Sequence, residues 1–391
     1  MKPSPVGKYL QRYAEPELQT LPELGAVPKR EFALVIPAYD ERPAFLESLL
    51  AHPKAGQTLL ILVLNAPDDR PRSELNSAMA EWIRERGVAL AEASAMGLFR
   101  IDTLLVLLVD RFSEGREIPA KQGVGLARKI GADLALALIE RDTIAQPWIF
   151  SSDADARLPN NYFSCINNAA SASALSLSFR HDGEDPEVLR ATRTYESMLE
   201  YYRQGLETAG SPYAFTALGS CLVLNAAAYA AVRGFPKRSG GEDFYLLNKL
   251  AKIAPVRNCD RNVVTIEARL STRVPFGTGP AVQKILLAQR QNRRPLYYDP
   301  RVFAELPKVV ALAPDIWTRG WDEASTQLSA SAQKALLAEG LANFVKQRRQ
   351  QDKSQHEFVR HYRHWFDAFK TLKFLHRLQE YDHPPQSYEQ V

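Results

Sequence analysis

The sequence predicts an α/β protein built on a mostly parallel central sheet, and three observations carry that expectation. Apolar runs of strand length at 32–36, 59–64 and 104–109 show no polar alternation, as strands covered on both faces should. Segments with apolar residues at helical spacing alternate with them, which is the signature of βαβ units. Carboxylates then gather just after a fourth apolar strand and at a later helix start, and sheets of this kind bind ligands beyond the carboxyl ends of their strands.

Residues 1–30 hold five prolines and no sustained periodicity, and they read as an arm lying over the body of the protein. After the strand at 32–36, Phe45, Leu46, Leu49 and Leu50 give a helix face. The strand at 59–64 is followed by a helix carrying Leu75, Met79, Trp82 and Ile83, with Pro71 at its start and Gly87 just past its end. The strand at 104–109 leads to a helix lined by Leu126, Ile130, Leu134 and Leu138, and then to a short strand at 148–150. A helix is expected near Pro159. Another opens at Glu242 with Phe244, Leu247, Leu250 and Ala251 on one face, before a strand pattern that ends near Ile266. The domain boundaries that follow are an arm at 1–30, one α/β domain at 31–280 and a helical extension at 281–391.

Composition narrows the function. The 391 residues, 46% hydrophobic and 24% charged, exclude collagen-like and wholly disordered chains. Forty-nine Lys and Arg against 45 Asp and Glu leave a net charge of +4, which gives no ground for a nucleic-acid partner. Cys165, Cys221 and Cys259 are odd in number and lack C-x-x-C spacing, so neither a disulfide framework nor a structural zinc site is indicated, and a reducing compartment fits. The start of the chain lacks the apolar stretch of a signal peptide, and every apolar run falls short of the roughly 18 to 20 residues of a spanning helix. The expected location is cytoplasmic, with peripheral contact at the inner face of a membrane left open.

The run Ser151-Ser152-Asp153-Ala154-Asp155-Ala156-Arg157 follows the fourth strand. If it is extended, residues two apart point to one side, and both acids face one spot. Paired hard oxygen ligands there suit Mg²⁺ or Mn²⁺ shared with phosphates. A calcium loop of the helix-loop-helix kind fails, because it would put Leu158 where Gly is required and Ser164 where Glu is required. An acid-rich turn capping the next helix is the competing reading. At Gly240-Gly241-Glu242-Asp243, helix capping likewise competes with a carboxylate that accepts a proton from a bound hydroxyl. Gly123-Val124-Gly125 follows no strand, which argues against a dinucleotide fingerprint.

Taken together, Val35-Ile36-Pro37-Ala38-Tyr39-Asp40-Glu41, the Ser152-Asp153-Ala154-Asp155 loop, the run from Gly219 to Leu224, Val232-Arg233-Gly234-Phe235-Pro236 and Gly241-Glu242-Asp243-Phe244 resemble glycosyltransferase family 2. These are nucleotide-sugar transferases of the GT-A (Rossmann-like, nucleotide-diphospho-sugar transferase) fold, and the resemblance covers residues 31 to about 280. It implies that Pro37, Ala38, Tyr39 and Glu41 line the nucleotide pocket. It implies that Asp153 lies near the ribose or a metal-bound water, with Ala154 beside it, and that Asp155 binds the metal, so that Asp153 and Asp155 form the metal site. Asp243, with Glu242 beside it, would take the proton of the acceptor hydroxyl in an inverting transfer. The family's acid-rich turn after the second strand is here Asn65-Ala66-Pro67-Asp68-Asp69, so Asn65 or an acid such as Asp68 would meet the base. Its Ala-Arg-Asn signature appears as Ala127-Arg128-Lys129, which makes Arg128 the candidate phosphate contact and Lys129 a further one, with a solvated helix face as the alternative. Arg273, in the loop after the strand ending near Ile266, could close on the diphosphate, with an ordinary surface loop as the alternative.

Residues 341–380 concentrate nine Lys and Arg against four acids, and Phe358, Tyr362, Trp365, Phe369 and Leu372 recur at spacings of four and three. That stripe is expected to pack on the catalytic domain; a basic amphipathic surface for anionic membrane or a lipid-linked acceptor is the sharper alternative. His356, His361, His364, His376 and His383 also fall here, any of them a conceivable third metal ligand. The sequence thus points to a metal-dependent inverting transferase using Mn²⁺ or Mg²⁺, a nucleotide-diphospho-sugar donor and an unidentified acceptor hydroxyl. A retaining enzyme and a non-catalytic nucleotide-binding scaffold of the same fold are the alternatives.

Overall fold

Ten strands form one sheet in the first of two units into which the chain divides, residues 1–189 with 217–281 and residues 190–216 with 282–391. The computed structural model describes residues 4–70, 73–271 and 277–387. The strands are β1 Phe32–Ala38, β2 Thr58–Asn65, β3 Val88–Ala93, β4 Met96–Ile101, β5 Leu104–Arg111, β6 Trp148–Ser151, β7 Ala156–Arg157, β8 Ala174–Asp182, β9 Leu222–Asn225 and β10 Val256–Glu267. Across the sheet they follow the order β3, β4, β5, β2, β1, β6, β9, β8, β10, β7. Only β4, β7 and β9 run against the common direction, so the sheet is mostly parallel as expected.

The middle of the sheet explains its own sequence. Every residue of β1, β2 and β6 is buried, as are the first six of β5, so both faces are covered and polar side chains occur only at strand ends, at Thr58, Asn65 and Ser151. The helices of this unit are α1 Pro5–Arg12, α2 Ala44–Leu50, α3 Glu74–Arg86, α4 Gly123–Glu140, the start of α5 Pro186–Thr208, α6 Ala226–Ala231, α7 Glu242–Leu250 and the start of α8 Thr278–Arg290. Ser73 caps α3 by accepting from the Asn76 N–H at 3.2 Å, and Gly87 ends it; Pro71 lies outside the described residues. Helix α4 is buried along most of its length: alanines and glycines fill the faces beside Leu126, Ile130, Leu134 and Leu138, and Arg128, Lys129 and Asp133 are buried there in ion pairs.

Two local expectations are corrected. No α-helix follows Pro159: the chain forms β7 and then a 3₁₀ turn, Tyr162–Asn168, whose Tyr162 and Phe163 rings pack against Phe150 and Phe32. The hairpin of β3 and β4 between α3 and β5 has no counterpart among the sequence-derived elements. The N-terminal segment forms α1 and two 3₁₀ turns, with Tyr9, Leu21 and Leu24 buried.

The second unit is helical. Beyond the remainder of α5 and α8 it contains α9 Pro300–Ala311, α10 Ala313–Arg319, α11 Trp321–Ala324, α12 Ala330–Ala338, α13 Leu341–Gln351, α14 Gln355–Trp365 and α15 Ala368–Tyr381. Its core gathers Val302, Phe303, Leu306, Ile316, Leu336, Phe358, Tyr362, Phe374, Leu375 and Leu378. The expected aromatic stripe therefore breaks after Trp365. Asp367 caps a new helix by accepting from the N–H groups of Phe369 and Lys370, and the new register turns Phe369 outward while Phe374 and Leu378 continue the core. No helix of the described residues is long and apolar enough to cross a membrane.

Candidate functional site

The carboxyl ends of β1, β2 and β6 lie side by side, so the loops that leave them share one edge of the sheet. Pro37 and Ala38 are the last buried residues of β1, and Tyr39 follows half-buried. The chain then turns at Asp40, whose φ of 58° is a left-handed value that a short polar side chain tolerates. That turn is pinned. The Asp40 N–H donates to Asn76 at 2.9 Å, the Ser73 hydroxyl donates to the Asp40 carboxylate at 2.9 Å, and Asn76 donates to the Asn65 carbonyl at 2.9 Å. The start of α3 thus ties the ends of β1 and β2 together. Asn65 itself is buried, and its side-chain oxygen has no hydrogen-bond partner among the described residues. Asp68 is exposed and accepts from the Ala120 N–H at 2.9 Å, so it closes a loop.

Arg128 is the centre of a first cluster. It lies one turn into α4, almost wholly buried, and donates to Glu242 at 2.8 Å, to the Ser151 hydroxyl at 3.1 Å, to the Ser152 carbonyl at 3.3 Å and to Asp153 at 2.6 Å. Two glycines make this possible. A Cβ on Gly219 would sit 2.1 Å from the guanidinium, and one on Gly125 would sit 2.5 Å from the Pro236 carbonyl oxygen. The backbone of the loop before α7 therefore lies directly on the start of α4, joined by the Gly125 N–H donating to the Arg238 carbonyl at 2.9 Å. That contact delivers Glu242 to Arg128, across 114 residues of sequence.

A second cluster forms around Arg269, two residues past β10. It donates to Glu41 through both of its terminal nitrogens, one of them at 3.0 Å, and to Asp155 at 2.9 Å. The acid loop is not extended as expected. The Ala156 N–H donates to the Asp153 carbonyl at 3.1 Å, which closes a turn, and the two carboxylates leave it for different arginines. Neither Asp153 nor Asp155 simply caps a helix.

Five carboxylates, of Glu41, Asp153, Asp155, Glu242 and Asp243, thus surround two guanidiniums, and the excess of negative charge is felt as proton affinity. Burial first, and then the charge of Asp153, push the Asp155 carboxyl up to about 6, against the pull of Arg269. Burial and the neighbouring charge of Glu242 push Asp243 up to about 7, against the Phe244 N–H and Arg128. Among the described residues no group of three or more His, Cys, Asp or Glu side chains is arranged to hold a metal ion. The hard oxygens of Asp153 and Asp155 fit a cation whose remaining ligands are phosphate and water, and do not fit an all-protein cage.

Arg128, Asp153, Glu242 and Asp243 are brought together, Glu41 and Asp155 meet through Arg269, and Ala154 lies in the turn between the two acids. Asn65 stands at the neighbouring strand end. Lys129 faces elsewhere: its ammonium donates to the Tyr9 hydroxyl at 2.6 Å and to Asp133 at 2.8 Å, so it holds the N-terminal segment rather than a phosphate. His361 pairs with Asp352 at 2.8 Å and His376 contacts the Tyr298 hydroxyl at 2.8 Å, both within the helical unit. Arg273 lies outside the described residues. Sequence reasoning missed Arg269, although its place just past the strand pattern was the available signal.

No protein-family model and no curated protein matches the chain. Among solved structures it is similar to the mannosyltransferase PcManGT from Pyrobaculum calidifontis in complex with GDP-Man and Mn²⁺, at 16% identity over 94% of each chain with a TM-score of 0.40. It is also similar to GalNAc-T7 with UDP, GalNAc and Mn²⁺, at 11% identity over 81% of this chain and 58% of that one, with a TM-score of 0.37.

Proposed function

We propose that the protein is a metal-dependent glycosyltransferase, similar to family 2, that moves a sugar from a nucleotide-diphospho-sugar to an acceptor hydroxyl with inversion. The supporting observation is the chain of bonds from Asp153 through Arg128 to Glu242, which holds Asp243 beside the acid turn of β6. Asp243 is the general base. It accepts the hydroxyl proton as the acceptor oxygen attacks the anomeric carbon, and the bond to the diphosphate breaks with its electron pair on the departing oxygen. A carboxyl raised toward neutrality is matched to that task. Arg128 and Arg269 keep the crowded acids in place. Asn65 offers a buried, unsatisfied amide oxygen to a base edge, with Pro37, Ala38, Tyr39 and Glu41 along the neighbouring strand end. A divalent cation, Mn²⁺ or Mg²⁺, held by Asp153 and Asp155 would neutralise the charge that builds on the diphosphate.

The test is turnover of UDP-, GDP- and dTDP-sugars with Mn²⁺ or Mg²⁺. Asp155→Ala is expected to abolish it, and Asp243→Asn to lower kcat by about 10²- to 10⁴-fold while donor binding persists. Undiminished turnover in Asp155→Ala sinks the metal assignment, and a product of retained configuration sinks the role of Asp243. Calorimetry that finds no metal-dependent nucleotide binding would favour a scaffold.

A further inference from the structure

The nine cations of residues 341–380 are mostly occupied inside the helical unit. Lys370, Lys373 and Arg377 converge on buried Glu339, Arg348 pairs with Asp352, and Arg349 donates to the carbonyls of Ile316 and Trp317. A different surface of the same unit combines charge with exposed apolar groups. From residue 278 to residue 298 the sequence has Lys284, Arg290, Arg293 and Arg294 and no Asp or Glu. All four are exposed. Among them stand Leu287, 51% exposed, and Leu296, at 58% the most exposed large apolar side chain of the described residues.

The local structure gathers these groups. Gln283, Lys284, Leu287 and Gln291 recur at helical spacing and are all exposed, so Lys284 and Leu287 share the outer face of α8. The chain then turns at Asn292, whose φ is 54°, and the Arg293 N–H donates back to the Ala288 carbonyl at 2.9 Å. Arg290, Arg293 and Arg294 are thereby collected at the helix end. Complementing the helix dipole accounts for cations at that end, but for neither Lys284 nor the two leucines in water. Leucines rimmed by cations fit an interface with acyl chains beneath anionic headgroups. A soluble polyanion would satisfy the cations and leave the leucines in water.

We infer that residues 284–296 dock the protein on an anionic lipid bilayer. The inference does not depend on the catalytic assignment. The test is flotation of the full chain with phosphatidylcholine vesicles, with and without phosphatidylglycerol. The protein is expected to float only with the anionic vesicles, and less at higher salt. Changing Lys284→Ala together with Arg293→Ala is expected to weaken vesicle affinity about 25-fold, about fivefold for each charge. Leu287→Ser with Leu296→Ser should weaken it at least about tenfold at unchanged charge. Lys346→Ala with Lys353→Ala should bind as the parent does. Since all these positions are exposed, unaltered melting temperatures are expected as a control on folding. Failure of the parent to float overturns the proposal. So does loss of binding in the 346/353 variant alone, and so do leucine variants that bind like the parent, which would mark a generic polyanion surface.

Discussion

Arg128 and Lys129 are neighbours in sequence and opposites in circumstance. Both cations are buried in α4, and both are met by carboxylates. Around Lys129 the network closes on itself. Asp133 receives the ammonium at 2.8 Å and the hydroxyls of Tyr9 and Tyr229 at 2.6 and 2.9 Å, and its second oxygen also takes the Glu15 N–H. Around Arg128 and Arg269 the acids outnumber the cations: burial raises Asp133, Asp155 and Asp243 alike, but at Asp155 and Asp243 a neighbouring carboxylate pushes further, whereas at Asp133 the Lys129 ammonium pulls back. A balanced buried ion network holds a fold together; an unbalanced one crowds carboxylates at the sheet edge and shifts their proton affinity.

The sharpest way to break that comparison is Arg128→Met. It leaves Asp153 and Glu242 without their cation, and an uncompensated buried charge costs about 3–5 kcal/mol, read as a lower denaturant midpoint. Lys129→Met should cost less, about 1–3 kcal/mol, because Asp133 keeps two hydroxyl donors and burial already favours its protonated form. If the two losses come out equal, or reversed, the distinction between closed and open networks is wrong. A pH signature tests the same network from the side of Asp243. Asp243 binds its proton more tightly folded than unfolded, so its contribution to stability is complete below about pH 4 and is lost as pH rises to about 7. Asp243→Asn lacks that loss, and its melting temperature relative to the parent should be more favourable at pH 8 than at pH 5. A difference independent of pH would mean that the carboxyl is not raised.

Much of this was legible in advance. The apolar runs that became β1, β2, β5 and β6 admit no half-exposed strand, and Gly241 followed by two acids marked the start of α7. The hairpin was not, because Val88–Ala93 is an exposed edge strand rich in alanine, with little β-propensity to announce it. Lys129 is the weaker candidate beside Arg128 because successive helical residues point about 100° apart, so one helix cannot aim both at the same site. The pairings of Arg128 with Glu242 and of Arg269 with Asp155 each span 114 residues, and no local pattern encodes them. The aromatic stripe failed at Asp367, where a single cap reset the register.

At Gly125 two main chains touch without an intervening side chain. The span between the cation at position 128 and the acids at 242 and 243 is consequently set by peptide geometry, which sequence drift cannot lengthen or shorten by degrees. Side chains elsewhere along this edge of the sheet can be exchanged while the two acids stay where they are. A bulky residue at 125 would move the whole acid pair at once.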